Sequence, residues 1–384
     1  MKKVALSLAG VLAAATFAPE ASAVPSFARQ TGMACSACHA QHFPVLNGFG
    51  RAFKAAGFTM MGSQEKVEGE GLSIPATLNA SVLLKVIYEK TSGTAGTPSG
   101  IDTNGGAWAF PDELSLFFGG RVADLGSIKI GQMMENNLAA PGAPVIAGLR
   151  VPVVVDMDSV KLSVIPYTTD GLGPFYGYTE SSAGVARGIR WAENRKAVSA
   201  HQYVDLGAGA ATGLAFVAHS DMGYINVSRY ASAFAGATQM SSTAIHIAAT
   251  PTIADFATIL SAEFVTGDNY GAGVTTIQQK GSGFSAQANG EVAGMEASFY
   301  GQYAKNDVNN LKAATGGADV TVIPHTLTVG AAYRKATGGD DAITLTAVYD
   351  LAQNVALHAN YTSYSQDQGT DGNSTFIGLL EAAW

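Results

Sequence analysis

Both cysteines of the 384-residue chain fall within five residues, where Cys35, Cys38 and His39 spell C-x-x-C-H. That spacing is the attachment motif of a c-type haem. Two thiols one helical turn apart meet the two vinyl groups of a porphyrin, and the imidazole that follows falls on the iron as proximal ligand. A lone disulfide between Cys35 and Cys38, or a redox dithiol, has no use for His39, and no thioredoxin-like pattern surrounds the pair. Zinc asks for further cysteines or clustered histidines nearby, and the chain has no third cysteine.

The sixth position on such an iron has several claimants: Met60, Met61, His246 and His358, with Met33 closer in sequence. His42 lies on the same helical face as His39, so reaching the far side of the same iron would strain it. Methionine ligation raises the potential relative to two histidines. After the motif comes FPVLNGFGRAFKAAGF, residues 43–58. Pro44 suits a first helical position, Phe43, Leu46, Phe49 and Phe53 recur at helical spacing, and Gly57 suits the stop. That stripe covers one face of a haem, with Arg51 and Lys54 opposite as partners for its propionates.

The elements that hold this segment are read from the rest of the chain. Residues 1–23 carry two lysines, an apolar run from Val4 to Ala18 and an Ala21-Ser22-Ala23 site, the pattern of a secretory signal. Its removal leaves 20 basic against 29 acidic residues, a net charge of −9, which argues against nucleic acid as a partner. From about residue 76 the period is two. Leu78, Ala80, Val82, Leu84, Val86 and Tyr88 share one face against Asn79, Ser81, Lys85 and Glu89. The same alternation returns after Met295, Ile343 and Val355, and in the final FIGLLEAAW. Short turns alternate with long Gly-, Ser- and Asn-rich loops, such as 91–107, 135–150, 168–184 and 365–373.

These features predict an all-β transmembrane barrel of about 16 antiparallel strands in the outer membrane, fronted by a short α-helical monohaem cytochrome c plug. A secreted β-sandwich or β-helix also alternates, but strands of about ten residues, aromatic strand ends and a terminal Trp384 fit a bilayer better. The expected domains are a signal at 1–23, the haem segment at 24–71 and the barrel at 72–384. The haem segment is too short to build its own core, so the barrel must cover it, in the lumen or at the periplasmic mouth. Strand parity points His219, His246 and His358 into the lumen. Residues 185–240 and 305–325 leave the strand pattern ambiguous. Asp102, Asp170 and Asp268 fall in expected outer loops.

The run PSFARQTGMACSACHAQHFPVLNGFGRAFKAAGFTMMG, residues 25–62, resembles the defining segment of the fused cytochrome-porin iron oxidases of iron-oxidising bacteria. The likeness covers the FARQTGM lead-in, one C-x-x-C-H and FP-x-LN-x-FGR-x-FK-x-x-G, about a tenth of the chain. It implies oxidation of extracellular Fe(II), with the electron passing through one covalent haem c to a periplasmic c-type cytochrome or copper carrier. By the motif match Cys35, Cys38 and His39 carry over as attachment and axial ligation. No iron-binding residue carries over. A diffusion porin with a haem-bearing plug, or export of electrons to outside acceptors, uses the same parts.

Overall fold

The computed structural model describes residues 26–41, 45–62, 64–70, 72–93, 103–138, 146–181, 198–206, 209–236, 239–269, 277–352, 354–369 and 372–384. The expected signal, His42, Phe43, Pro44 and Asp102 lie outside them. The polar and apolar residues that alternate along the chain form one closed antiparallel barrel. Its strands are β1 (Ala80–Thr91), β2 (Ala107–Asp124), β3 (Ile128–Asn137), β4 (Gly148–Arg150 continued by Val153–Met157), β5 (Val160–Thr169), β6 (Ala211–Ser220), β7 (Gly223–Ala231) and β8 (Ser242–Ala249 continued by Thr252–Ile253). There follow β9 (Phe256–Asn269), β10 (Ile277–Val292), β11 (Met295–Asn306), β12 (Leu311–Ile323), β13 (Leu327–Ala336), β14 (Ala342–Ala352), β15 (Val355–Tyr364) and β16 (Ser374–Ala383). The closed sheet contains eighteen strand segments, and two pairs of them are single strands interrupted at Pro152 and Pro251, which leaves sixteen. Proline cannot donate to the ladder, so the pairing lapses there.

Closure joins β16 to β1, from Thr375 opposite Thr91 to Ala383 opposite Leu83. The last residue takes part: Val82 N donates to Trp384 O at 2.8 Å and Trp384 N to Val82 O at 3.0 Å. No helix among the described residues is long and apolar enough to cross a membrane; strands do the crossing, and closing the sheet satisfies every edge. Outward positions are apolar and exposed, as Leu345, Leu357, Phe264 and Ile225 illustrate. Tyr303, Tyr333, Tyr361 and Phe376 ring the end with the long loops, while Phe299, Tyr349 and Trp384 ring the end with the short turns. The inner face is polar and shielded, with Ser115, Asn226, Glu263, Gln287, Arg334 and Thr344 all buried. Both ambiguous stretches contain strands: β6 and β7 in the first, β12 in the second.

Two details depart from the sequence expectation. The barrel starts at Ala80, and the expected boundary at 71/72 falls inside a separate hairpin that pairs Lys66–Gly69 with Leu72–Pro75. Asp268 belongs to β9 and not to a loop.

The lumen is packed from both ends. Residues 26–62 enter from the short-turn end: Ser26 Oγ meets Ser81 Oγ at 3.2 Å, and Gln41 bonds to Glu296 O and Thr321. Residues 173–181 and 198–206 enter from the long connection between β5 and β6. The two inserts meet where the buried Arg150 donates to Tyr176 O at 2.9 Å and lies 5.4 Å from the Phe58 ring.

Candidate functional site

The C-x-x-C-H residues wind into a single turn. Cys35–Ala37 is a 3₁₀ turn, and the backbone N–H groups of Cys38 and His39 donate to Cys35 O at 3.1 and 2.9 Å. Both thiols are free and half-buried. Burial pushes both above the ordinary cysteine range, Cys38 further through Cys35 beside it. Cys35 Sγ lies 3.9 Å from Asn354 Oδ1, on the short turn before β15.

What fixes this turn is the sequence on either side of it. Asn47 caps the following helix α2 (Gly48–Ala55), accepting from Gly50 N at 2.9 Å, and its amide donates back to Ala37 O at 3.0 Å. Gly50 faces the Cys38 carbonyl so closely that a Cβ there would overlap it. From the other side, Gln30 in helix α1 (Ser26–Thr31) is fully buried. Its amide donates to Phe58 O and Met60 O at 2.6 and 2.8 Å, and its oxygen accepts from Arg121 N at 2.9 Å. Phe27 stacks on Phe58 at 4.8 Å and meets Phe53 edge-on at 5.3 Å. Arg121 donates to Thr59 O and Ser73 Oγ and pairs with Asp124 at 2.9 Å, tying segment, hairpin and wall together.

The apolar stripe differs from expectation. The helix begins at Gly48, so Leu46 lies ahead of it; Phe53 is buried but Phe49 is 39% exposed. Arg51, expected on an open face, is 8% exposed, and its Nη1 has no hydrogen-bond partner among the described residues. Lys54 donates to Thr179 O and stands over the Tyr178 ring at 5.5 Å. Met60 and Met61 are half-buried on the Gln30 side. His358 is 9% exposed inside the barrel, on the strand whose preceding turn meets Cys35.

His246 belongs to a second group, deeper in the lumen. Glu263 on β9, fully buried, receives His246 Nε2 at 3.4 Å on one oxygen and His201 Nε2 at 3.3 Å on the other. Ser261 donates to the same carboxylate at 2.7 Å. Tyr224 OH lies 3.4 Å from His246 Nε2 and accepts from Glu180 N at 3.1 Å. The Glu180 carboxylate takes Tyr178 OH at 2.5 Å and His219 Nε2 at 3.0 Å. Polar groups thus run from Lys54 in the N-terminal insert to His201 in the outer insert. His219, His246 and His358 were visible in strand parity. His201, Glu180 and Glu263 were not, because two sit in the long insert and an acid at an inward position of a barrel strand has no distinguishing pattern.

Near the long-loop end, a cavity of about 330 Å³ is lined by Asp112, Glu113, Glu135, Asn137 and Asp170 among others. Glu113 pairs with Lys85 at 2.9 Å. Burial raises the Asp170 carboxyl. Among the described residues no three His, Cys, Asp or Glu side chains already converge on one cation-sized point.

Comparison with known proteins bears on the barrel. A mutant porin of Rhodopseudomonas blastica matches at TM-score 0.53 and 12% identity, over 80% of this chain and all of that one. Another variant of the same porin matches at TM-score 0.52 and 13% identity, with the same coverage. The fold is porin-like. At this identity the likeness extends to architecture, and with the closed sheet, apolar belt and aromatic girdles it makes this an outer-membrane barrel. No protein-family model matches the chain, and no curated protein does.

Proposed function

We propose that the chain oxidises extracellular ferrous iron and passes the electrons across the outer membrane, by way of one c-type haem, to a periplasmic c-type cytochrome or copper carrier. The observation that carries this reading is the single turn holding two free thiols and His39 at the short-turn mouth of a barrel whose lumen is filled. Cys35 and Cys38 would hold the haem covalently and His39 would ligate its iron. Bound there, the group supplies a one-electron couple, which matches the ferrous-to-ferric change.

The residues present fit such a group. Buried charges are ordinarily paired, and the Nη1 of Arg51, which has no hydrogen-bond partner among the described residues, is suited to a propionate. Asn47 and Gln30 hold the turn and the chain after it, so the thiols keep their spacing. Of the four distal candidates, His358 is on the strand that follows Asn354, the residue that meets Cys35. His246 has its Nε2 on Glu263 and Tyr224. The resemblance of residues 25–62 to the cytochrome-porin oxidases supports the choice of donor, and the acidic cavity at the long-loop end favours cations.

The porin-like architecture by itself supports a second reading, a diffusion porin with a structural plug. A visible spectrum of the purified protein separates the two. A c-type spectrum that becomes reduced on adding ferrous iron, and loses that response in His39→Ala, is expected. Intact haem that ferrous iron does not reduce, together with substrate-sized conductance, refutes the oxidase.

A further inference from the structure

The outer insert is fastened to the wall by carboxylate–imidazole contacts that cross the boundary in opposite directions. Glu180 of the insert takes His219 Nε2 from β6 at 3.0 Å, and His201 of the insert brings its Nε2 to 3.3 Å from Glu263 on β9. The other oxygen of Glu263 faces His246 Nε2 on β8 at 3.4 Å and accepts from Ser261 and from Ser285 on β10. Both carboxylates are buried, as are the rings of His201 and His246. Neither carboxylate has a lysine or arginine ion pair among the described residues. The remaining fastenings do not titrate near neutrality: Asn226 on β7 donates to Tyr178 O at 2.8 Å, Ser199 Oγ and Ala200 N donate to Gln302 Oε1 on β11 at 3.1 and 2.9 Å, and Asn306 donates to Val204 O at 2.9 Å.

Protons added to this group have nowhere to be balanced. The fixed cations near it are Lys54, over the Tyr178 ring from the N-terminal insert, and Arg150 on β4, which donates to Tyr176 O. Glu135 on β3 lies within electrostatic reach of Arg150, and the hydroxyls of Tyr178 and Tyr224 complete the surroundings. Three carboxylates therefore face two fixed cations. One shared proton balances the group, and every further proton is a buried charge without a counter-ion. Geometry adds a second penalty. Nδ1 of His201 and Nδ1 of His246 have no hydrogen-bond partner among the described residues, so a doubly protonated ring would present a buried N–H with nothing to accept it.

We propose that the outer insert is an acid-released plug, in which protonation of the buried carboxylate–imidazole group frees residues 173–181 and 198–206 from the wall and opens the outer half of the lumen to small hydrophilic solutes. Released, the same side chains meet water, where imidazoles take protons below about pH 6.5 and carboxylates below about pH 4.3. The released form thus binds more protons than the seated one, so it gains as pH falls. Each proton bound only after release shifts the balance by up to about tenfold per pH unit. The plug sits on the far side of Lys54 from the C-x-x-C-H turn, and its release does not depend on whether the chain oxidises iron.

Hydrogen exchange of the full-length protein in detergent, resolved by peptide and divided by the chemical exchange rate at each pH, tests this across the imidazole and carboxylate ranges, about pH 7.5 to 4. Corrected exchange in 173–181 and 198–206 is expected to rise at least about tenfold between pH 6.5 and 4.5, while β15, which carries no part of the group, stays flat. In the double variant His201→Gln with His246→Gln, each new amide still donates toward Glu263 but takes no proton, so most of the rise should vanish. His201→Gln alone lies outside the strands and carries the test if the double variant loses heat-modifiable migration; a weaker rise is expected. Wild-type exchange that follows the chemical rate alone overturns the proposal. So does a rise in the double variant, or in His201→Gln where that decides, as large as the wild type's.

Discussion

Gly50 offers a test in which the sign of the effect decides. In an ordinary exposed helix, Gly→Ala stabilises by about 1 kcal/mol, because glycine loses more backbone freedom on ordering. At Gly50 the added Cβ overlaps the Cys38 carbonyl and comes within 3.1 Å of Leu46 Cδ2. The carbonyl cannot yield freely, since it accepts from Asn47 N at 3.0 Å. Overpacking of this kind costs about 1–3 kcal/mol. Set against the helix gain, the net is a loosening of up to about 2 kcal/mol, or up to about 30-fold more of the locally opened segment. Gly48→Ala is the matched control. It enters the same helix with nothing within 4 Å of the new methyl, so it is expected to be neutral or stabilising. Limited proteolysis of the refolded protein, quantified by loss of the N-terminal segment against an intact barrel band, reads the difference. Cleavage of Gly50→Ala should be faster than wild type by about that factor, and Gly48→Ala no faster. Barrel melting, which depends on strands neither change touches, stays where it is. If Gly50→Ala protects the segment as well as Gly48→Ala does, the close seating of α2 on the C-x-x-C-H turn is wrong.

Two further outcomes follow from the packed lumen. Deleting residues 26–62 removes the insert from the short-turn end and leaves every barrel strand, so single-channel conductance in planar bilayers should rise several-fold over the full chain; unchanged conductance would mean the segment does not obstruct the pore. Tyr203 is pushed up to about 12, first by desolvation and then by its hydroxyl donating to Asp340 at 2.8 Å. A tyrosine whose folded value is raised keeps that contribution below its ordinary range near 10 and loses it as pH climbs through about 12. Amide protection of the helix Ala200–Tyr203 should therefore hold to about pH 10 and decline above it, with Tyr203→Phe showing a weaker decline.

The barrel was legible because its two solvents differ. Lipid outside and a shielded polar lumen inside impose a period of two wherever the strand is regular, as in Val355–Tyr364, where Leu357, Ala359 and Tyr361 face out and His358, Asn360 and Thr362 are buried. The signal weakened where inner positions are themselves small or apolar: β6 reads ATGLAFVAHS, with Ala211, Ala215 and Val217 buried and Phe216 exposed. Those inward side chains do not face water. They pack on Phe175 and Tyr176 of the outer insert, and an insert packed inside a barrel removes the contrast on which alternation depends. The C-x-x-C-H turn was legible because its residues lie within five positions and close on one another through local backbone bonds to Cys35 O. Its supports were only partly so: Gln30 and Asn47 stood in recognisable runs, but their amides bridge residues up to 91 positions apart. Glu263 marks the far limit. An acid among small residues on an inward face carries no local signature, and its meaning arises only when a loop helix from more than sixty residues earlier lowers His201 onto it. Sites assembled by inserts into a preformed wall are therefore the ones that sequence pattern underdetermines, and in this chain the residues around Glu263 are of that kind while the C-x-x-C-H residues are not.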